Sequence, residues 1–128
     1  MPWVCNPGGT LLVPSGETHH LFVILNAPAD FDTYPPQSCV LVSFSTIRQG
    51  PHDATHVVQA GVHPFIQAPS FVAYRHARME RGAVLTQRVE AGMYIPREPV
   101  AEALRRELIA GLYASPLTPR YLKKLKLG

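Results

Sequence analysis

Over its first three quarters the chain sets short apolar runs between proline- and glycine-bearing breaks, then changes to an apolar repeat every four residues. Thr10-Leu11-Leu12-Val13, opened by Asn6-Pro7-Gly8-Gly9 and stopped by Pro14-Ser15-Gly16, predicts a first strand. Leu21-Phe22-Val23-Ile24-Leu25, ended by Asn26-Ala27-Pro28, predicts a second, and a run of that length without alternation predicts burial on both faces. A connection over 26–38, stiff at Tyr34-Pro35-Pro36, leads to residues 39–46, the strongest strand candidate. Its tail alternates Val42 and Phe44 with Ser43 and Ser45. After a loop around Gly50-Pro51, strands are expected at Thr55-His56-Val57-Val58 and over 70–74, with short apolar pieces at Pro64-Phe65-Ile66 and Val84-Leu85.

From Val100 the pattern becomes helical. Val100, Leu104, Leu108 and Leu112 recur every four residues, while Glu102, Arg105 and Arg106 fall on the other face. Glu98-Pro99 predicts the helix start and Ser115-Pro116 its end. Thr118-Pro119 predicts a short basic helix through Lys126, with Thr118 as N-cap. Five to seven short strands followed by helices predict a mainly β fold with α. The expected architecture is a small barrel or rolled sheet whose open side an amphipathic C-terminal helix covers. The expected organisation is one domain over 1–128, with the barrel over about 8–92 and the closing helices over about 98–126.

Composition narrows the class. With 128 residues, 46% of them hydrophobic and 16% charged, the chain reads as globular. It has no apolar run of about 18 residues, so no membrane span is expected. The N-terminal residues lack a basic stretch followed by an apolar one, so no signal peptide is expected and the expected placement is cytoplasmic. Cys5 and Cys39 then read as free, partly buried thiols, a disulfide between them being the alternative. Residues 1–96 carry five Lys/Arg against six Asp/Glu, and residues 97–128 carry seven against three. The net charge of +3 therefore belongs to the tail, as a solvated helix face or as a surface for a polyanion.

The order of these motifs resembles the MazF/PemK-like toxins of bacterial toxin–antitoxin systems, which are SH3-like barrels. Gly9-Thr10-Leu11-Leu12-Val13, a polar loop, the 21–25 run and the 39–46 strand ending in Ser-Thr carry the first half. Ser70-Phe71-Val72-Ala73-Tyr74 running into Arg75-His76-Ala77-Arg78, then Ala91-Gly92-Met93 and the 100–112 helix, carry the second. The resemblance spans about residues 8–112 and is one of pattern. It implies a metal-independent endoribonuclease acting on single-stranded RNA, without cofactor, as a homodimer whose cleft an antitoxin peptide occupies. The chain departs from the family at two places. His19-His20 stands where members that cut RNA carry an Arg-Pro pair, and the 75–78 segment lacks the acidic residue often found there.

Cleavage of this kind needs a base for the 2′-hydroxyl, an acid for the leaving oxygen and a cation for the phosphorane. Imidazole suits both proton roles. The catalytic set implied is therefore His19 and His20 with Thr46, and neighbours in a strand face opposite ways, so one imidazole is expected in a given groove. Ser45, Arg48, Arg75, His76 and Arg78 form the RNA-binding set, through hydroxyl and guanidinium contacts to phosphate. Tyr34, Phe65, Phe71 and Tyr74 are stacking candidates, with core packing as the alternative. His52, Asp53, His56 and His63 invite a metal reading, but their spacing does not place four ligands on one face, and no metal is expected. The competing function is a non-catalytic SH3-like module binding a protein or nucleic acid through the same cleft.

Overall fold

The computed structural model describes residues 3–127. Seven strands form an antiparallel sheet, ordered β4-β5-β3-β2-β1-β7, with β6 also paired to β3. They are β1 (Thr10–Ser15), β2 (Thr18–Ile24), β3 (Ser38–Thr46), β4 (Val57–Val58), β5 (Ser70–Val72), β6 (Arg78–Arg81) and β7 (Ile95–Arg97). Three α-helices lie among the described residues: α1 (Gly82–Glu90), α2 (Glu102–Ala114) and α3 (Arg120–Lys123).

β1 and β2 make a hairpin through Gly16-Glu17, in which Ser15 opposes Thr18. Positive φ at Gly16 (62°) alone is what a type II′ turn asks of its first central residue. Alternation then gives the sheet two apolar faces. Leu12, Leu21, Val23, Val40 and Val42 pack with Leu108 and Leu112 of α2 and with Leu122 of α3. Leu11, Phe22, Ile24 and Leu41 pack on the reverse with Leu85 of α1 and with Cys5. The uniform apolar run of β2 is explained by this double cover. Cys5 and Cys39 are free thiols, buried, with their sulfurs 3.1 Å apart.

The expected barrel does not close. β4 and β7 lie at opposite ends of the strand order and share no ladder. Strands of two and three residues offer too few backbone groups to close it. A side chain spans the gap instead. His63 Nε2 donates to the Glu98 carbonyl at 2.6 Å, while its Nδ1 accepts from Phe65 N at 3.0 Å, which fixes the ring as the Nε2–H tautomer. Thr10 Oγ1 donates to the same carbonyl at 2.8 Å.

Other boundaries differ from the apolar pattern for local reasons. Val84-Leu85 lies in α1 rather than in a strand, and only Leu85 of the two is buried. Pro64-Phe65-Ile66 is a turn closed by Ile66 N on His63 O, not a strand. Tyr74 leaves β5 for a 3₁₀ turn, Tyr74–His76, which separates β5 from β6. α2 begins at Glu102 because Val100 N is held by Gly8 O at 2.9 Å, in extended backbone. α3 is one turn long, with Pro119 rather than Thr118 at its N-cap. No helix among the described residues is long and apolar enough to cross a membrane.

Two polar ties join the helices to the sheet. Tyr74, with no exposed surface, donates its hydroxyl to Leu108 O at 2.8 Å, and burial pushes its pKa up. Arg105, which the repeat assigned to the outer face, is buried and donates to Leu25 O while pairing with Glu102. A Cβ on Gly111 would overlap the Tyr74 ring and hydroxyl. Gly111→Ala is therefore expected to cost about 1–3 kcal/mol through overpacking. Urea unfolding checks this, and an unchanged midpoint would refute the packing.

Hydrogen bonds from Arg105, reinforced by Arg106, hold the exposed Glu102 carboxyl at about 2 against an ordinary 4.5. A depressed folded pKa means the stabilisation is complete above 4.5 and fades as pH falls through about 2. Glu102→Gln should thus lower the thermal midpoint near neutral pH, with the gap to wild type narrowing steadily in acid. A gap independent of pH would contradict this.

Candidate functional site

The β2–β3 ladder is short. It pairs Phe22 with Ser43, Val23 with Val42 and Ile24 with Leu41, and then stops. Beyond it β2 continues against β1 through Thr18, while β3 continues against β5, with Phe44 opposite Val72 and Thr46 opposite Ser70. The two strands diverge, and a groove of about 440 Å³ opens between their ends.

The divergence brings together five residues of the catalytic and RNA-binding sets read from sequence. His19, His20, Ser45, Thr46 and Arg48 all line this groove. Both histidines reach it, contrary to the one-per-face expectation, because the groove lies in the gap between strands rather than over one face. His20 lines a second hollow on the reverse face as well. Among the described residues neither ring makes a side-chain hydrogen bond. Phe65, 40% exposed, and the half-buried Phe71 supply apolar walls, and no Asp or Glu lines the groove.

The remaining candidates lie elsewhere. Arg75 borders a neighbouring hollow with His52 and Asp53. His76 borders that hollow and, with Arg78, the one on the reverse face. The expected clamp by Arg75 or Arg78 thus does not face the main groove, because the 3₁₀ turn redirects the chain after β5. Arg48 is the guanidinium that does. Tyr74 is core, and Tyr34 sits against Tyr121, ring centres 5.8 Å apart, away from the groove.

Residues 47–56 carry Arg48 and His52, and this loop is tied down at several points. Ile47 N bonds Pro69 O, Val72 N bonds His56 O, and Ser115 Oγ donates to Asp53 Oδ2 at 2.6 Å. Burial would raise the Asp53 carboxyl, but bonds from Ser115 and Thr55, with His52 nearby, outweigh it and hold the carboxyl below its ordinary value. His52 lies on Phe71, with centroids 5.3 Å apart. The four residues of the metal reading are thereby dispersed. Asp53 answers Ser115, His63 bridges to Glu98, and no cluster of three ligating groups forms among the described residues.

Sequence reasoning did not assign His52, Gln49 or Gln67 to this groove. His52 and Gln49 could have been reached through their nearness to Arg48 in one loop. Gln67 carries no such signal. Comparison with known protein families, with curated proteins and with solved structures returns no match.

The Asp53–Ser115 bond makes a direct expectation. Asp53→Ala should cost about 1–3 kcal/mol, as expected where a buried hydroxyl loses its partner. It should also speed amide exchange at Thr55, whose N–H the same carboxylate accepts at 2.9 Å. Unchanged protection at Thr55 would show that the loop is held by other means.

Proposed function

We propose that the groove between β2 and β3 takes single-stranded RNA and cleaves it without a metal ion. The observation carrying this reading is the groove's composition among the described residues: three imidazoles (His19, His20, His52), one guanidinium, three phenyl rings (Phe44, Phe65, Phe71), and no carboxylate. A polyanion enters such a groove without charge repulsion. Bases stack on exposed rings with little regard to sequence, and Arg48 can grip a phosphate through two nitrogens.

The chemistry follows the resemblance, with one reassignment. An imidazole at position 19 or 20 takes the 2′-hydroxyl proton, and the freed oxygen attacks the adjacent phosphorus. The bond from phosphorus to the 5′-oxygen breaks as a second imidazole protonates the leaving oxygen. This leaves a 2′,3′-cyclic phosphate and a 5′-hydroxyl. Ser45 and Thr46 position the phosphate, and Arg48 replaces Arg75 or Arg78 as the clamp. In the same reading an antitoxin peptide competes for the groove, and two copies of the chain pair.

A second reading has its own support. No carboxylate or carbonyl orients His19 or His20 among the described residues, and general bases are ordinarily fixed by such a partner. A groove that binds RNA or a peptide without cutting fits that feature.

The test incubates the protein with single-stranded RNA in EDTA and follows both binding and chain length. Cleavage is expected, with a cyclic phosphate end. Replacing both His19 and His20 by Ala should slow it about 10²–10⁴-fold. Arg48→Ala should weaken binding and flatten its salt dependence by about one phosphate contact. RNA that binds but stays intact supports the binding module, and RNA that does not bind removes the nuclease reading and leaves a peptide as the binding module's ligand.

A further inference from the structure

A second hollow, of about 480 Å³, lies on the face of the sheet that α1 shares, beside the end of β1. Strand alternation assembles it. Val13 opposes His20, Phe22 opposes Ser43, and Leu41 opposes Arg78, so these side chains rise from one surface. Ser45, two residues past Ser43 on β3, and His76 of the 3₁₀ turn complete the rim.

Its chemistry is that of a donor cage. The Arg78 guanidinium lies over the Phe22 ring, its central carbon 4.5 Å from the centroid. The Nε is 3.3 Å from Glu80 Oε1, buried and without a well-formed hydrogen bond. A planar group stacked on one side and tethered at Nε has little freedom left, and its two terminal nitrogens make no hydrogen bond among the described residues. Ser43 stands 4% exposed in the otherwise apolar stretch Val40-Leu41-Val42-Ser43-Phe44, where packing alone would favour a valine. Glu80 is engaged with Arg78, and no carboxylate lines the hollow.

We propose that this hollow, between the end of β1 and the His76–Arg78 segment, is a binding site for a phosphate monoester group. The Arg78 fork, the imidazoles of His20 and His76, and the hydroxyls of Ser43 and Ser45 are its donors. A monoester presents three terminal oxygens and close to two negative charges, which suits donors converging from three directions. A diester, with two free oxygens and chain on both sides, suits the open groove instead. Val13, Pro14 and Phe22 give the site an apolar wall for the group that carries the phosphate. The site does not rest on RNA cleavage. It shares His20 and Ser45 with the groove, so the phosphate can be a free ion or the 5′ end of a strand seated next door.

The experiment titrates the full chain with inorganic phosphate, with a 5′-phosphorylated trinucleotide and with its 5′-hydroxyl counterpart, followed by NMR of histidine and arginine side chains. Saturable shifts at His20, His76 and Arg78 are expected with both phosphate-bearing probes. Tighter binding of the phosphorylated trinucleotide than of phosphate identifies the strand end as the ligand, and equal binding identifies the free ion. Arg78→Gln should weaken binding tenfold or more, in line with the usual worth of about 1.5–3 kcal/mol for hydrogen bonds to a charged group. Arg78→Lys, which keeps the charge on Phe22 and loses the fork, should weaken it several-fold at unchanged thermal stability. The exposed His76→Ala gives a third variant that leaves the fold alone.

Shifts confined to His19 and Arg48, or no saturation, overturn the site. So do variants that bind phosphate as tightly as wild type. Phosphate binding in a protein that leaves RNA intact sustains this site while removing the nuclease reading.

Discussion

Strand β3 serves three partners, and it cannot serve all of them along its whole length. Its first half pairs with β6, its last three residues with β5, and only its middle with β2. The 3₁₀ turn between β5 and β6 interrupts pairing on the far edge of β3, where Ala73 N–H bonds Ser43 O. The β2 ladder ends at the same residue, Ser43, and the gap beside β2 begins there. The polar ends of β2 and β3 would otherwise have been zipped into an ordinary ladder. Both candidate sites sit at this one departure, one in the gap and the other on the reverse face.

Much of the sheet was readable because burial leaves a mark on composition. The 21–25 run and residues 39–42 of β3 are apolar on both faces, and both prove to be sandwiched between two cores. The four-residue repeat of Leu104, Leu108 and Leu112 likewise follows the side of α2 that meets the sheet. β7 left no such mark. All three of its residues are exposed, one is proline, and its place is set by pairing with β1 rather than by any pattern of its own. α1 was hidden for a related reason, since Leu85 is its one large side chain buried completely.

The candidate site was legible as a set of ingredients but not as an arrangement. Histidines at the start of β2 and hydroxyls at the end of β3 border one groove because hairpin and strand end at the same height. That much follows from strand lengths. The assignment of arginines did not, because the turn at Tyr74–His76 carries Arg75 and Arg78 to other surfaces while a loop tied to Ser115 brings Arg48 forward. His63 shows the limit from the other side. Among other histidines it suggests a ligand for a metal, whereas its two nitrogens are spent on backbone groups, Nδ1 within its own turn and Nε2 across the gap in the sheet.

That crossing also bears on how the molecule is made. Thr10 meets Glu98 across 88 positions, and Arg105 meets Leu25 across 80. β1 acquires its second neighbour only when residues 95–97 exist. An emerging chain therefore holds one edge of its sheet bare until residues 95–97 have left the ribosome, and distant pairings of this kind slow folding. The segment from Ile95 onward acts as a latch, and it must emerge before the sheet can be fastened.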